Sequence, residues 1–353
     1  MQLGSSGEAA TRPRVAGRRR LRWVAGGVLA AVVVAVAGIS WRVGLGLIHP
    51  EREPVTGDPS DRGLAFQDVT FDSRDGVTLK GWFLPAAAGG GAAGTGQAGM
   101  PAAGATGGSG AAAAGGEGPA GPAVAPRTII FAHGYGKNRL QDDVPGLDVA
   151  AALTEGGYNV LMFDFRNSGE SAGERTTVGQ DEVLDLAGAV DWVRRTHGSG
   201  QRIGLLGWSM GAVTAILAAG GSVQVDAVVA DAPFSDLRTY LDENLAHWTG
   251  LPEFPFNWTI RVLLPPLVGV HVDRVRPVEA VARLGDTPLL LIHGASDDVI
   301  GAHHSQRLLE AARAAGVEAD LWLVPGAGHV KAYATAPGAY RQRVLAFFDR
   351  YLR

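Results

Sequence analysis

Ser209, Asp297 and His329 are the residues whose types and order could carry covalent chemistry. Ser209 stands in Gly207-Trp208-Ser209-Met210-Gly211, between an apolar run at 203–206 and an Ala-rich, helix-favouring stretch at 212–219. Strand, sharp turn and helix would lift a serine hydroxyl out of a sheet, and small residues two before and two after it let the backbone pass. A serine hydroxyl is inert at its own pKa and needs an adjacent base. His329, in the Gly-rich loop 326–329, is the candidate base that takes the Ser209 proton and returns it to a leaving group. Asp297 is the preferred acid to orient His329. Spacing alone does not separate it from the adjacent Asp298, and Asp231, after the preceding strand, is a third candidate.

The elements that must position these residues follow from hydrophobic patterning. Apolar runs at 128–133, 159–164, 202–207, 225–230, 288–293 and 320–324 read as buried strands. They alternate with amphipathic stretches at about 144–155, 178–196, 210–220, 276–284, 303–315 and 335–352. This alternation predicts a parallel sheet covered by helices on both faces. Each run stops at a loop bearing reactive residues, where ligands of open α/β sheets sit. Ahead of them, 66–73 and 77–84 are joined by Arg74-Asp75-Gly76, a hairpin signal. Residues 86–126 hold 30 Gly or Ala in 41 and one charge, Glu117, which predicts a disordered insertion in a surface loop.

The N-terminus has its own signature. Residues 1–22 carry six arginines, and 23–41 carry no charge, with Trp at both ends. At ~1.5 Å per residue the 19 residues span roughly 28 Å, close to a bilayer core. The expectation is an uncleaved signal anchor, a cytoplasmic basic tail, and the rest of the chain outside the cytoplasm. A secretory signal cleaved at Ala35-Val36-Ala37 and a buried helix are the competing readings. Residues 42–62 read as a linker. The net charge of −4 supplies no basic footprint for nucleic acid, and the absence of cysteine excludes a thiol nucleophile, disulfides and thiolate metal sites.

Together, Asp75-Gly76-Val77-Thr78-Leu79-Lys80-Gly81-Trp82, the His133-Gly134-Tyr135-Gly136 loop, residues 163–171, the Ser209 turn and the Asp297 and His329 loops resemble the α/β-hydrolase superfamily. The likeness is to membrane-anchored serine hydrolases of the serine aminopeptidase and dienelactone-hydrolase-like group. It covers 63–353 apart from the insertion. It implies an eight-stranded, mostly parallel sheet and a small lid at 237–276, rich in aromatics and proline. The pattern His-Gly-x-x-Asp then assigns the acid to Asp297, and the oxyanion hole to the backbone N–H groups of Tyr135 and Met210.

The resemblance implies hydrolysis of an ester or thioester through an acyl-enzyme, on a small-molecule or acyl substrate and without a cofactor. A peptidase is the alternative, although neither a propeller domain nor an acidic cluster for a peptide amino terminus is legible. A binding protein on the same fold is the third reading. His133 and His293 are expected to support loops, and Asp164 to pair with Arg166. His303 and His304 are expected in a solvated first helical turn, with no metal.

Overall fold

The computed structural model describes residues 15–87 and 126–353, without the side chains of residues 15–21, 263 and 264. The Gly/Ala-rich stretch therefore lies outside the described residues except at its ends. The chain divides into two compact units, one of residues up to 47 with 245–269, the other of 48–244 with 270–353.

The larger unit contains a sheet of eight strands: β1 Gln67–Asp72, β2 Thr78–Leu84, β3 Arg127–Ala132, β4 Asn159–Phe163, β5 Arg202–Trp208, β6 Ala227–Asp231, β7 Leu289–Gly294 and β8 Ala319–Val324. Their order is β1-β2-β4-β3-β5-β6-β7-β8. β2 pairs antiparallel with β1 and β4, and every other pair is parallel. The helices are α1 Val15–Ile48, α2 Gly146–Glu155, α3 Glu182–His197, α4 Met210–Ala219 and α5 Leu237–Thr249. They continue with α6 Trp258–Val268, α7 Pro277–Ala280, α8 His303–Ala314, α9 Ala332–Thr335 and α10 Pro337–Tyr351.

The apolar runs are continuous because both faces of the sheet are covered. Along β3, Ile130 and Ala132 enter one core with residues of α3, α4 and α8. Ile129 and Phe131 enter the other, with α2 and α10. α10 meets that second core through Tyr340, Val344 and Phe348, one turn apart. From β3 the chain steps to β4 on one side, and β5 then forms on the other side. The crevice at this reversal is where an open α/β sheet binds ligands.

Several boundaries differ from the sequence reading for local reasons. α3 starts at Glu182, not at 178, because Val178 and Gly179 have φ of +56° and +106°. The Glu182 carboxylate instead accepts the N–H groups of Thr177 and Gly179. The expected helix at 335–352 splits at Ala336, which the following proline holds out of helical geometry, with ψ of 64°. α1 runs on to Ile48, past the apolar stretch ending at Trp41. Residues 52–54, expected in a linker, are tied down: Arg52 donates to the carbonyls of Ser171 and Gly173, and Asn138 to those of Glu53 and Pro54.

The expected Asp164–Arg166 pair is not formed. Arg139 takes Asp164, through Nη2 at 2.7 Å and Nε at 3.1 Å. Arg166 takes Asp185 at 2.7 Å and also Asp75. Two residues apart on a loop leaving β4, the two side chains diverge and each finds its partner on another element. Asp185 is fully buried, so removing it leaves the Arg166 guanidinium with Asp75 alone and its buried donors partly unsatisfied. Asp185→Ala is expected to lower the stability by about 1–3 kcal/mol in urea unfolding, with turnover per labelled active site unchanged.

In the smaller unit, α1 carries the stretch Arg22–Ile48, long and apolar enough to cross a membrane. The segment 245–269 packs on it, and the Ser40 hydroxyl donates to the Phe256 carbonyl at 3.3 Å.

Candidate active site

Ser209 occupies the turn between β5 and α4 at φ +52° and ψ −118°, a conformation few non-glycine residues adopt. Its N–H donates to the Asp231 carbonyl at 2.8 Å, and its carbonyl accepts from Val213. The flanking glycines are imposed by clearance. A Cβ on Gly207 would lie 2.4 Å from the Gly211 carbonyl oxygen, and one on Gly211 would lie 1.9 Å from that of Ala132. Ala132 is also the register partner of Gly207, so the end of β3 lies directly against the turn.

His329 and Asp297 converge on this serine from the loops after β8 and β7. His329 Nε2 is 3.0 Å from Ser209 Oγ, and its Nδ1 is 2.8 Å from Asp297 Oδ2. Asp297 is 9% exposed, and its Oδ1 accepts the N–H groups of Val299 and Ile300 at 2.9 and 2.8 Å. Burial pushes this carboxyl up, but hydrogen bonds from His293 and His329 outweigh it and hold it well below the usual carboxylate range. Ionised Asp297 accepts from Nδ1–H, which leaves the Nε2 lone pair facing the serine hydroxyl. Asp298 is exposed beside it.

The loop after β3 forms another wall. His133 Nδ1 donates to the Gly134 carbonyl at 2.8 Å, and its Nε2 accepts from Phe165 N–H at 2.9 Å. Gly134 N–H donates to Gln141 Oε1. A Cβ on Gly134 would stand 3.7 Å from the Ser209 Cβ, so this loop lies beside the serine. Tyr135 follows directly. Met210 opens α4, where first-turn N–H groups have no acceptor within the helix.

The sequence profile of the prolyl oligopeptidase family matches residues 148–353. The chain belongs to that family. It is a serine hydrolase of the α/β-hydrolase fold. It is similar to YqkD of Bacillus subtilis, at 32% identity over 65% of this chain and 73% of that protein. It is also similar to YfhR of Escherichia coli, at 28% over 80% of each, and to human ABHD12B, at 26% over 52% of this chain and 49% of that protein. Among solved structures, the esterase Pf2001 of Pyrococcus furiosus superposes with a TM-score of 0.65 at 26% identity, over 87% of this chain and 99% of the esterase. An acylaminoacyl peptidase of Pyrococcus horikoshii shares the fold, with a TM-score of 0.56 at 18% identity, over 82% of this chain and 42% of the peptidase.

His293 supports the loop as expected: its Nε2–H donates to the Ile300 carbonyl at 2.7 Å, and it also lies 3.3 Å from Asp297 Oδ2. One residue of this hydrolase has a role that sequence reasoning missed. Gln141, which fixes the Gly134 N–H, has φ of +47° in a polar loop and left no legible signal.

Glu243 reaches His303 and His304, whose Nε2 atoms lie 3.2 and 3.1 Å from its two oxygens. This is the cluster among the described residues whose donor set could hold a metal. The tautomer opposes that. His304 Nδ1 accepts the Ser235 N–H at 3.1 Å, so Nε2 carries the proton and turns an N–H toward Glu243. Burial pushes His304 down to about 4, which keeps it neutral.

Asp231 sits at the end of β6, fully buried, with neither carboxylate oxygen hydrogen-bonded. Burial pushes it up to about 7, against smaller opposing influences of His293 and Tyr340. A folded-state pKa above the unfolded value means that the native state holds the extra proton. This group's contribution is therefore favourable below about pH 4 and is lost as pH rises towards 7. Asp231→Asn is expected to keep activity. Its stability relative to the parent should rise between pH 4 and pH 8 by an amount on the order of a few kcal/mol, read from urea midpoints across pH.

Proposed function

We propose that the chain hydrolyses ester or thioester bonds through an acyl-enzyme on Ser209, with His329 as base and Asp297 as its orienting acid. The observation that carries the reading is the unbroken chain from Asp297 through His329 to Ser209 Oγ. Ser209 Oγ bonds to the acyl carbon while His329 Nε2 takes its proton. The backbone N–H groups of Met210 and Tyr135 receive the negative charge on the carbonyl oxygen. As the tetrahedral centre collapses, the bond to the alcohol or thiol breaks and His329 returns the proton to it. Water then attacks the acyl carbon, giving its proton to His329, and the acid leaves as Oγ is reprotonated.

Ester cleavage is preferred because the likeness to the Pyrococcus furiosus esterase spans nearly all of that protein, against 42% of the acylaminoacyl peptidase. The family match itself favours the second reading, a peptidase. In this proposal α1 anchors the chain, with the arginine-rich end in the cytoplasm and the hydrolase outside it.

The test uses the full-length chain in detergent, a fluorophosphonate probe, and p-nitrophenyl esters of rising chain length. Ester turnover with labelling that vanishes in Ser209→Ala is expected. Asp297→Asn should lower kcat by about 10⁴-fold while leaving the fold intact. Turnover of peptide amides with none of any ester would replace this reading with the peptidase.

A further inference from the structure

The described residues confine their exposed large apolar side chains to two places. All except Leu323 fall either on positions 23–41 of α1 or within 245–269. In the second stretch, Phe254 is 77% exposed, Leu267 67%, Trp258 49% and Val262 47%. A water-facing surface segment does not gather such side chains without a covering partner. The same 25 residues carry two formal charges, Glu253 and Arg261.

Both stretches belong to one compact unit. The Ser40–Phe256 hydrogen bond fixes the depth at which they meet. Ser40 is one residue from Trp41, where the uncharged run begun at Trp23 ends. If α1 crosses a bilayer, that point lies at the boundary between acyl chains and headgroups, the level at which tryptophans concentrate. Phe254 and Trp258 flank Phe256 and so are set at the same level. α6 then continues with Val262 and Leu267, interrupted by Pro265 and Pro266. An apolar, short, proline-broken helix at that depth suits a segment lying in the interface and cannot span the core.

We propose that residues 245–269 are a second membrane contact, an interfacial segment docked on α1 and covered by the lipid of the bilayer that α1 spans. The inference rests on the reading of α1 as a retained anchor. The occupant is lipid and not protein because the exposed apolar side chains belong to one compact unit with a helix of membrane length and are tied to it beside Trp41 by the Ser40–Phe256 hydrogen bond.

The chain has no cysteine, so single cysteines report unambiguously. The full-length chain is reconstituted in phosphatidylcholine vesicles with Phe254→Cys, Val262→Cys, Leu267→Cys, Val32→Cys or Glu310→Cys, each labelled with an environment-sensitive dye. Fluorophosphonate labelling checks that each variant is folded. Positions 254, 262 and 267 should lose quenching by aqueous iodide and gain it from nitroxides near the headgroups. Position 32 should respond to nitroxides deep in the acyl chains, and 310, on the exposed face of α8, to iodide. If 32 responds to lipid while 254, 262 and 267 follow 310, the inference is overturned and the anchor stands. If 32 also follows iodide, the anchor reading fails and the inference falls with it. Shielding of 254, 262 and 267 from both quenchers would overturn it in favour of a protein partner on this face.

Discussion

The contact on which the rest of the site depends is the near-zero clearance where the β5–α4 turn crosses the end of β3. The Ala132 carbonyl oxygen occupies the space in which any side chain at 211 would begin, and the Gly211 carbonyl does the same for 207. That crowding forces two glycines. It also holds Ser209 in a positive-φ conformation that costs on the order of 1–3 kcal/mol and persists only because the surroundings over-determine it. The β3–β5 register and the buried strands serve this crossing. The outcome is a hydroxyl whose position does not depend on its own rotamer freedom alone.

Around it, three carboxylates at strand ends or in strand-end loops are treated differently by the same low-dielectric interior. Asp297 receives two backbone N–H groups and His329, with His293 close by, and so stays ionised. Asp164 is neutralised by Arg139. Asp231 receives no hydrogen bond, and burial raises its pKa. Burial alone does not distinguish an acid that can stabilise an imidazolium from one that cannot; the count of donors aimed at the carboxylate does. That count favours Asp297 over Asp231 as the partner of His329 in the proposed mechanism.

The smaller unit follows a different rule. Its α1 and its 245–269 segment expose apolar side chains of the kind the larger unit buries, and their mutual contact includes a hydrogen bond from a hydroxyl to a backbone carbonyl. Under the proposal that α1 spans a bilayer, apolar packing between helices would supply little association free energy, because lipid tails are equally apolar, and hydrogen bonds and close fit would carry more of the contact.

The sequence by itself marked the candidate chemistry-bearing residues and determined the kind of sheet that carries them. Continuous apolar runs alternating with amphipathic stretches admit few folds, and Gly-x-Ser-x-Gly between a strand and a helix is a local steric requirement. Only the tertiary structure places Asp297, and not Asp298 or Asp231, within hydrogen-bond distance of His329. Proximity to His329 is a long-range relation, set by where the loops after β7 and β8 meet, and adjacent residues are indistinguishable by spacing. The same reason separates Arg166 from Asp164 and gives each a remote partner. It also explains why Gln141 and Glu243 left no trace in the pattern. Their roles are hydrogen bonds to residues brought near by folding, and periodicity records which face of an element is buried, not which polar groups meet there.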